Sequence, residues 1–389
     1  MLYIFLYLLI SAICYHLISS KKEGKDGWLI GIFLLLALIV GMADMLGGYD
    51  RYIYCELFDG NADSIRSGGP FFNTQITLWG YHKELAYVIW NSLVAYITPN
   101  RYLYILITTF FIYTLLFISL RDIFRKYPIS ILVFMGLWFF FTFTYLRQAL
   151  AVCCAWLSYK YVMKREFVPF FILWFIAYKF HNSAIIFFIF YFLPQKKWAK
   201  STIVLILIAA FILGVSGVPM TIYHLYDDAL DTQRASSYAI DLPGVRYDYI
   251  AEVLIMITLI FNRYEKIPED REHLIYLNGA LMFCIILLVF LHSSNAGRQS
   301  WYYMLGMIYT LSFLSGQNMS FDNYSKAIYL LVTILFLRFV INWGVLISPY
   351  KTFLTNGHRE NDPIYQEFEY DDRYNVDKFY RPAINIYIP

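Results

Sequence analysis

Charge is what this sequence has least of. Only 15% of its 389 residues are Asp, Glu, Lys or Arg, against about a quarter in a soluble domain, which excludes a water-soluble globular fold. The net charge of +3 is too small to imply a nucleic-acid partner. Cysteine is sparse and unpaired. Cys14, Cys153, Cys154 and Cys284 lie in apolar runs, and Cys55 stands alone in a polar segment. No C-x-x-C pair offers a metal or redox site, so the thiols read as small buried hydrophobes. H-E-x-x-H, the P-loop, G-x-S-x-G and a D-x-D pair in an outer loop are all missing. Their absence removes the usual signatures of zinc proteolysis, NTP-driven transport, serine hydrolysis and metal-bound sugar nucleotides. No metal and no cofactor is expected. No internal repeat or low-complexity run is found. Residues 1–18 are apolar up to Lys21 and Lys22, with no basic region before them and no A-x-A-type site after them, so they are expected to be a first span and not a cleaved leader.

What is present is apolar length. The chain is 59% hydrophobic with a mean hydropathy of +0.52, and apolar runs of about 17–25 residues recur throughout, the pattern of an all-α polytopic membrane protein. Spans are expected at 1–18, 28–46, 101–120, 129–146, 148–163, 167–180, 182–194, 202–218, 249–262, 274–291, 301–316 and 326–347, about twelve in all. Basic residues collect at Lys21–Lys25, Arg121–Lys126, Lys160–Arg165, Lys196–Lys200 and Arg263–Arg271. Placed inside by the positive-inside rule, they put both chain ends outside. Residues 84–98 are apolar but would reach only about 22 Å as a helix, short of a core of roughly 30 Å. They are expected to form a short interfacial or re-entrant helix on the outer face. The resulting division is a transmembrane domain, 1–349, with outer loops 47–100 and 219–248, and an acidic, aromatic outer tail, 350–389.

Four polar clusters interrupt or end these runs on what is expected to be one membrane face. They are GGYDRY (47–52), TYLRQ (144–148), KFHNS (179–183) and NAGRQSWYY (295–303). Ionisable groups near hydrocarbon are costly and usually line a cavity or sit inside the bundle, so the clusters read as one site. Arginine's planar fork grips phosphate oxygens bidentately, which makes Arg147 and Arg298 candidates for phosphate, with Gln148 hydrogen-bonding beside Arg147. The plain alternative for Arg147 is a snorkelling side chain. Arg234 and Arg246 are weaker candidates of the same kind. His181 lies midway between two basic clusters, at the expected floor of an outer vestibule. It is either a general base, a phosphate donor or a packed histidine. Asp50 is a base, a sugar-hydroxyl acceptor, an arginine partner or part of an interfacial turn. Glu84 is a second candidate base or acceptor-positioning group, or simply a carboxylate favoured at a helix N-terminus. Tyr49, Arg51 and Tyr302 would position substrate.

The ordered set GGYDRYIY (47–54), KELAYVIWN (83–91), LRQALA (146–151), KFHNSAIIF (179–187), an outer-turn Arg298 and SPYK (348–351) resembles the EpsG family, within the wider Wzy-type bacterial polysaccharide polymerases. The resemblance runs over residues 45–350. It implies a GT-C-like glycosyltransferase of the bacterial inner or plasma membrane, acting on undecaprenyl-diphosphate-linked repeat units on the outer face. In such an enzyme the growing glycan leaves its lipid carrier and joins a hydroxyl of a new lipid-linked unit. Membrane lipid and a chain-length regulator are the other partners it suggests. The residues suit that chemistry. Fixed arginines stabilise charge growing on the leaving diphosphate, and a base takes the acceptor proton. Arg147, Arg298 and Gln148 are accordingly expected on diphosphate, with His181, Asp50 and Glu84 as candidate catalytic groups and no metal. Two rivals remain, a lipid-linked oligosaccharide flippase or exporter and a membrane O-acyltransferase.

Overall fold

The structure, a computed structural model, describes residues 2–20, 25–43, 50–71, 84–229, 244–293, 296–316, 322–347, 350 and 352. Among them helices dominate and no sheet forms, although an isolated antiparallel bridge joins Ala43 and Thr352. In chain order the α-helices are α1 (Leu2–Ser19), α2 (Asp26–Met42), α3 (Arg51–Arg66), α4 (Leu85–Ile97), α5 (Arg101–Lys126), α6 (Ser130–Leu137), α7 (Leu146–Lys164) and α8 (Phe167–Phe180). There follow α9 (Lys200–Val215), α10 (Val218–Ala229), α11 (Tyr247–Asn262), α12 (Arg271–Val289), α13 (Met304–Gly316), α14 (Asn323–Asn342) and α15 (Gly344–Ile347). Tighter 3-10 helices occupy Phe139–Phe143, Asn182–Phe192, Tyr264–Lys266 and Ala296–Tyr303.

The chain is an all-α membrane protein. Among the described residues, α1, α5, α12 and α14 are long and apolar enough to cross a bilayer, 4 helices in all. The apolar helices α2, α4, α8, Asn182–Phe192 and α9 are shorter. Three expected spans take another form. The run 129–146 divides into α6 and a 3-10 segment, 182–194 is mostly 3-10, and 301–316 begins in 3-10 geometry. At the first of these, Trp138 leaves helical geometry (φ −138°, ψ −17°), and Thr142 Oγ1 donates back to Phe139 O at 2.7 Å. A threonine bonding three residues back favours the tighter winding. The segment expected as an outer loop from 47 to 100 contains α3 as well as the anticipated short helix, α4.

The chain forms two compact units. The first comprises 1–153, 179–181 and 329–389. Its centre is the pair α2 and α5, which run antiparallel. Arg125, in the last turn of α5, donates to Asp26, in the first turn of α2, through Nε at 2.7 Å, and both charges then oppose the helix macrodipoles favourably. Gly41 lets α5 approach closely, since a Cβ there would lie 2.8 Å from Leu106 Cδ1. Asn100 caps α5, its Oδ1 accepting from Tyr102 N (2.9 Å) and Leu103 N (3.1 Å). Helix α6 packs on α1. It also meets α14 at Gly136, where a Cβ would sit 2.6 Å from Val332 O. Tyr350 Oη donates to Ile39 O at 2.9 Å, so the described start of the expected tail is tied to α2.

The second unit comprises 154–178 and 182–328. Its core is α12 against α13, brought together by two glycines. A Cβ on Gly306 would lie 2.5 Å from both Ala280 N and Tyr276 O. Asp270 caps α12 by accepting from His273 N at 3.0 Å. Arg263 donates to Leu314 O at 2.8 Å and pairs with Asp322, which fixes the end of α13.

Candidate functional site

In the first unit the site grows from the end of α2. A helix leaves its last carbonyls without partners, and here Arg51 supplies them. Its guanidinium is fully buried. Nη2 donates to Val40 O at 2.9 Å and Ala43 O at 2.8 Å, and Nη1 donates to Phe143 O at 3.2 Å. A cation at that end also meets the negative pole of the α2 macrodipole. Arg51, expected to position substrate, is thus gripped by backbone carbonyls. One residue earlier, half-buried Asp50 donates its amide to Thr144 Oγ1 at 2.7 Å. Together these contacts fasten the start of α3 to the segment that leads into α7.

Arg147 and Gln148 lie in the first turn of α7, both buried. A cation at a helix N-terminus is disfavoured by the macrodipole, and a carboxylate offsets it. Glu84 forms a direct ion pair with Arg147 Nη1, and both side chains are only 7% exposed. Two tyrosines lie beside the pair. Tyr54 Oη accepts from Arg147 Nε at 3.4 Å. The guanidinium carbon lies 5.5 Å from the Tyr54 ring centre and 5.7 Å from that of Tyr87, within cation–π range. Glu84 is the residue before α4, and its side chain makes no capping bond to that helix. Its carbonyl is what holds α4, accepting from Tyr87 N (3.0 Å) and Val88 N (3.2 Å).

A second buried ion pair lies in the same unit. Arg101, at the start of α5, is 1% exposed and joins Asp59 of α3. Its Nε and Nη1 have no hydrogen-bond partner among the described residues. Asn61 Nδ2 donates to Asn91 Oδ1 at 2.8 Å and Ser92 Oγ at 3.1 Å. Tyr104 Oη donates to Tyr87 Oη at 3.1 Å, and its ring stacks on Phe58 at 4.3 Å. None of Tyr54, Asp59, Tyr87 or Arg101 stands out in a hydropathy scan. A helical signal was nevertheless present. Arg51, Tyr54, Cys55, Phe58, Asp59 and Ala62 are all buried and recur at the three- and four-residue spacing of one helix face.

The second unit holds a further set of polar residues. Ser183 Oγ and Tyr302 Oη share a hydrogen bond of 2.7 Å. Gly297 N donates to Tyr249 Oη at 3.1 Å, where a Cβ in place of the glycine hydrogen would lie 2.3 Å from the same oxygen. Trp156 Nε1 donates to Trp301 O at 3.0 Å, and Tyr303 Oη to Ile186 O at 2.6 Å. Arg298 is half-buried on this 3-10 helix. Arg246 Nε donates to Asp248 Oδ1 at 2.7 Å, and its guanidinium lies 4.3 Å from the Tyr249 ring centre. The hydrogen bond to Asp248 raises the affinity of Arg246 for its proton, with burial opposing.

The polar clusters therefore meet in pairs. Asp50 and Arg51 bind the 143–144 segment, and the KFHNS and NAGRQSWYY segments join through Ser183 and Tyr302. Glu84 and Arg147 make direct contact. His181, half-buried just after α8, belongs to the first unit, whereas Arg298 and Tyr302 belong to the second. Tyr49, Asn295 and Arg234 lie outside the described residues.

The sequence model of the EpsG family matches residues 26–354, well over half of the chain, and the chain belongs to that family. No curated protein and no solved structure matches it.

Proposed function

We propose that this EpsG-family membrane protein is a polysaccharide polymerase. It moves a growing glycan from undecaprenyl diphosphate onto a hydroxyl of an incoming lipid-linked repeat unit, at the outer face of the bacterial inner or plasma membrane. Family membership supports the polymerase class. The observation that carries the chemistry is Arg147, held in the first turn of α7 beside two tyrosine rings and paired with a carboxylate. The positive pole of a helix N-terminus favours an anion, and the arginine adds a charged, bidentate donor. Charge accumulates on the leaving diphosphate as the sugar–phosphate bond breaks, so fixed donors there favour the transition state over the ground state. The lipid diphosphate is itself an activated leaving group, and the reaction needs no nucleotide. Arg298 is a further phosphate candidate. His181, Asp50 and Glu84 are the candidate acceptor-side bases, Gln148 is a candidate diphosphate contact beside Arg147, and Tyr49 and Tyr302 are candidate positioning groups.

The test is turnover of the purified chain in nanodiscs on a defined lipid-linked repeat unit, scored by product length. Arg147→Lys and Arg298→Lys keep the charge and lose the fork, and each is expected to cut chain extension severely at normal protein levels. Full-length polymer from both lysine variants would remove diphosphate binding from these arginines. Movement of the lipid-linked unit across the membrane without lengthening would point to a transporter instead.

A further inference from the structure

We infer that Glu84 is an internal stand-in for substrate: the diphosphate enters by displacing its carboxylate from Arg147, and the displaced carboxylate then takes the proton of the acceptor hydroxyl. This rests on the polymerase reading. Three observations carry it. First, the Arg147–Glu84 pair is nearly dry, each side chain being 7% exposed. A buried cation stripped of its anion is strongly disfavoured, so this arginine exchanges one anion for another and does not wait empty. Second, the departure of the Glu84 carboxylate leaves α4 held. Its side chain makes no cap to α4, and α4 is held by the backbone carbonyl of Glu84 instead. The carboxylate can turn away while the main chain stays fixed. Third, the guanidinium keeps its place during the exchange. Tyr54 Oη accepts from Nε, and the Tyr54 and Tyr87 rings both lie within cation–π range of the charge.

The exchange couples binding to chemistry. Paired with Arg147, the Glu84 carboxylate is stabilised as an anion and is a poor base. Once the diphosphate occupies the arginine, the carboxylate has lost its cation and gained a neighbouring negative charge, and both effects raise its affinity for a proton. The base is thereby armed only when the leaving group is in place. In the transfer step the acceptor oxygen forms a bond to the anomeric carbon of the donor glycan. The bond from that carbon to the diphosphate oxygen breaks, with its electron pair going to the diphosphate. The hydroxyl proton passes to Glu84. The products are the extended lipid-linked glycan and undecaprenyl diphosphate, and no other reactant is needed.

The experiment measures the affinity for undecaprenyl diphosphate in nanodiscs and, separately, turnover on the defined repeat unit. Glu84→Gln keeps a hydrogen bond to Arg147 but removes the competing charge. A charged hydrogen bond replaced by a neutral one should tighten diphosphate binding by roughly tenfold. Turnover should fall by about 10²–10⁴-fold, as for a lost base. Glu84→Asp retains a shorter, less well seated acid. It should bind diphosphate somewhat more tightly than the native chain and keep more turnover than Glu84→Gln, which guards against a folding defect in the amide variant. Unchanged or weaker diphosphate binding in both variants would overturn the exchange. So would tighter binding with native turnover, because the released carboxylate would then take no proton. If the native chain fails to bind undecaprenyl diphosphate, or binds it equally well after Arg147→Gln, the polymerase assignment of Arg147 fails instead.

Discussion

The buried pair Asp59–Arg101 permits a quantitative test of what holds the first unit together. Arg101 is 1% exposed, and its Nε and Nη1 have no hydrogen-bond partner among the described residues. The desolvation cost of this cation is therefore only partly offset, and the charge of Asp59 carries much of the compensation. Asp59→Asn removes that charge and leaves the guanidinium in place. Breaking a buried pair in this way costs about 3–5 kcal/mol. Asp59→Leu/Arg101→Met removes both charges and roughly keeps the volume, and such replacements are neutral or stabilising by about 1–4 kcal/mol. The unusual expectation is the ordering: the double variant should be more stable than the single one. The assay is the fraction of detergent-purified protein that stays monodisperse after heating, followed across a temperature series. A double variant that unfolds as early as Asp59→Asn would refute the reasoning and show that Arg101 supports the fold by something other than its charge pair.

Other expectations follow from packing, placement and chemistry. Gly306→Ala would set a Cβ 2.5 Å from two backbone atoms of α12, and such overpacking costs about 1–3 kcal/mol. Gly31→Ala meets nothing within 4 Å and should stabilise by about 1 kcal/mol through helix propensity. If heating experiments fail to separate these two variants, the close approach of α12 and α13 is misjudged. Residues 84–98 are expected to stay on one side of the membrane. The native cysteines are buried, so labelling of Gly60→Cys and Asn100→Cys can be read cleanly, and labels on opposite sides would overturn the assignment. His181→Ala should leave the protein inserted and able to bind lipid-linked substrate. If His181 is the base, Gln should be as inactive as Ala in the turnover assay. Substantial activity in the Gln variant would reduce the histidine to a hydrogen-bond donor, and native turnover by Ala would remove it from the chemistry.

Much of the helical layout was readable because long apolar runs have one dominant solution in a membrane. The expected 167–180 is α8, 249–262 lies within α11, and 148–163 lies within α7. Hydropathy fails where the structure does something other than continue a helix. It cannot distinguish α from 3-10 winding in FFFTF (139–143), since both bury the same aromatics. It also passes over α3, whose buried face alternates Tyr54 and Phe58 with Arg51 and Asp59, so that no window is uniformly apolar. Arg147 could be singled out from the sequence because it ends an apolar run. Its partner could not be identified, because Glu84 is 63 residues away in the chain, and only the fold brings them together. Arg51 shows the opposite limit. A charged residue beside two glycines reads as a ligand group, yet its bonds to Val40 O, Ala43 O and Phe143 O show it closing a helix end.

The 3-10 helix Asn182–Phe192 follows a different arithmetic from its α-helical neighbours. Three residues complete a turn, so every third side chain lies directly above the last, and each residue advances about 2.0 Å in place of 1.5 Å. Ala184, Phe187 and Phe190, all fully buried, consequently form a straight edge that does not drift around the axis. Eleven residues cover about 22 Å, a rise that needs about fifteen residues of α-helix. Economy of length comes with intolerance of frame. Inserting one residue in this stretch would rotate everything beyond it by about 120°, which turns the rest of the buried edge outward as a whole.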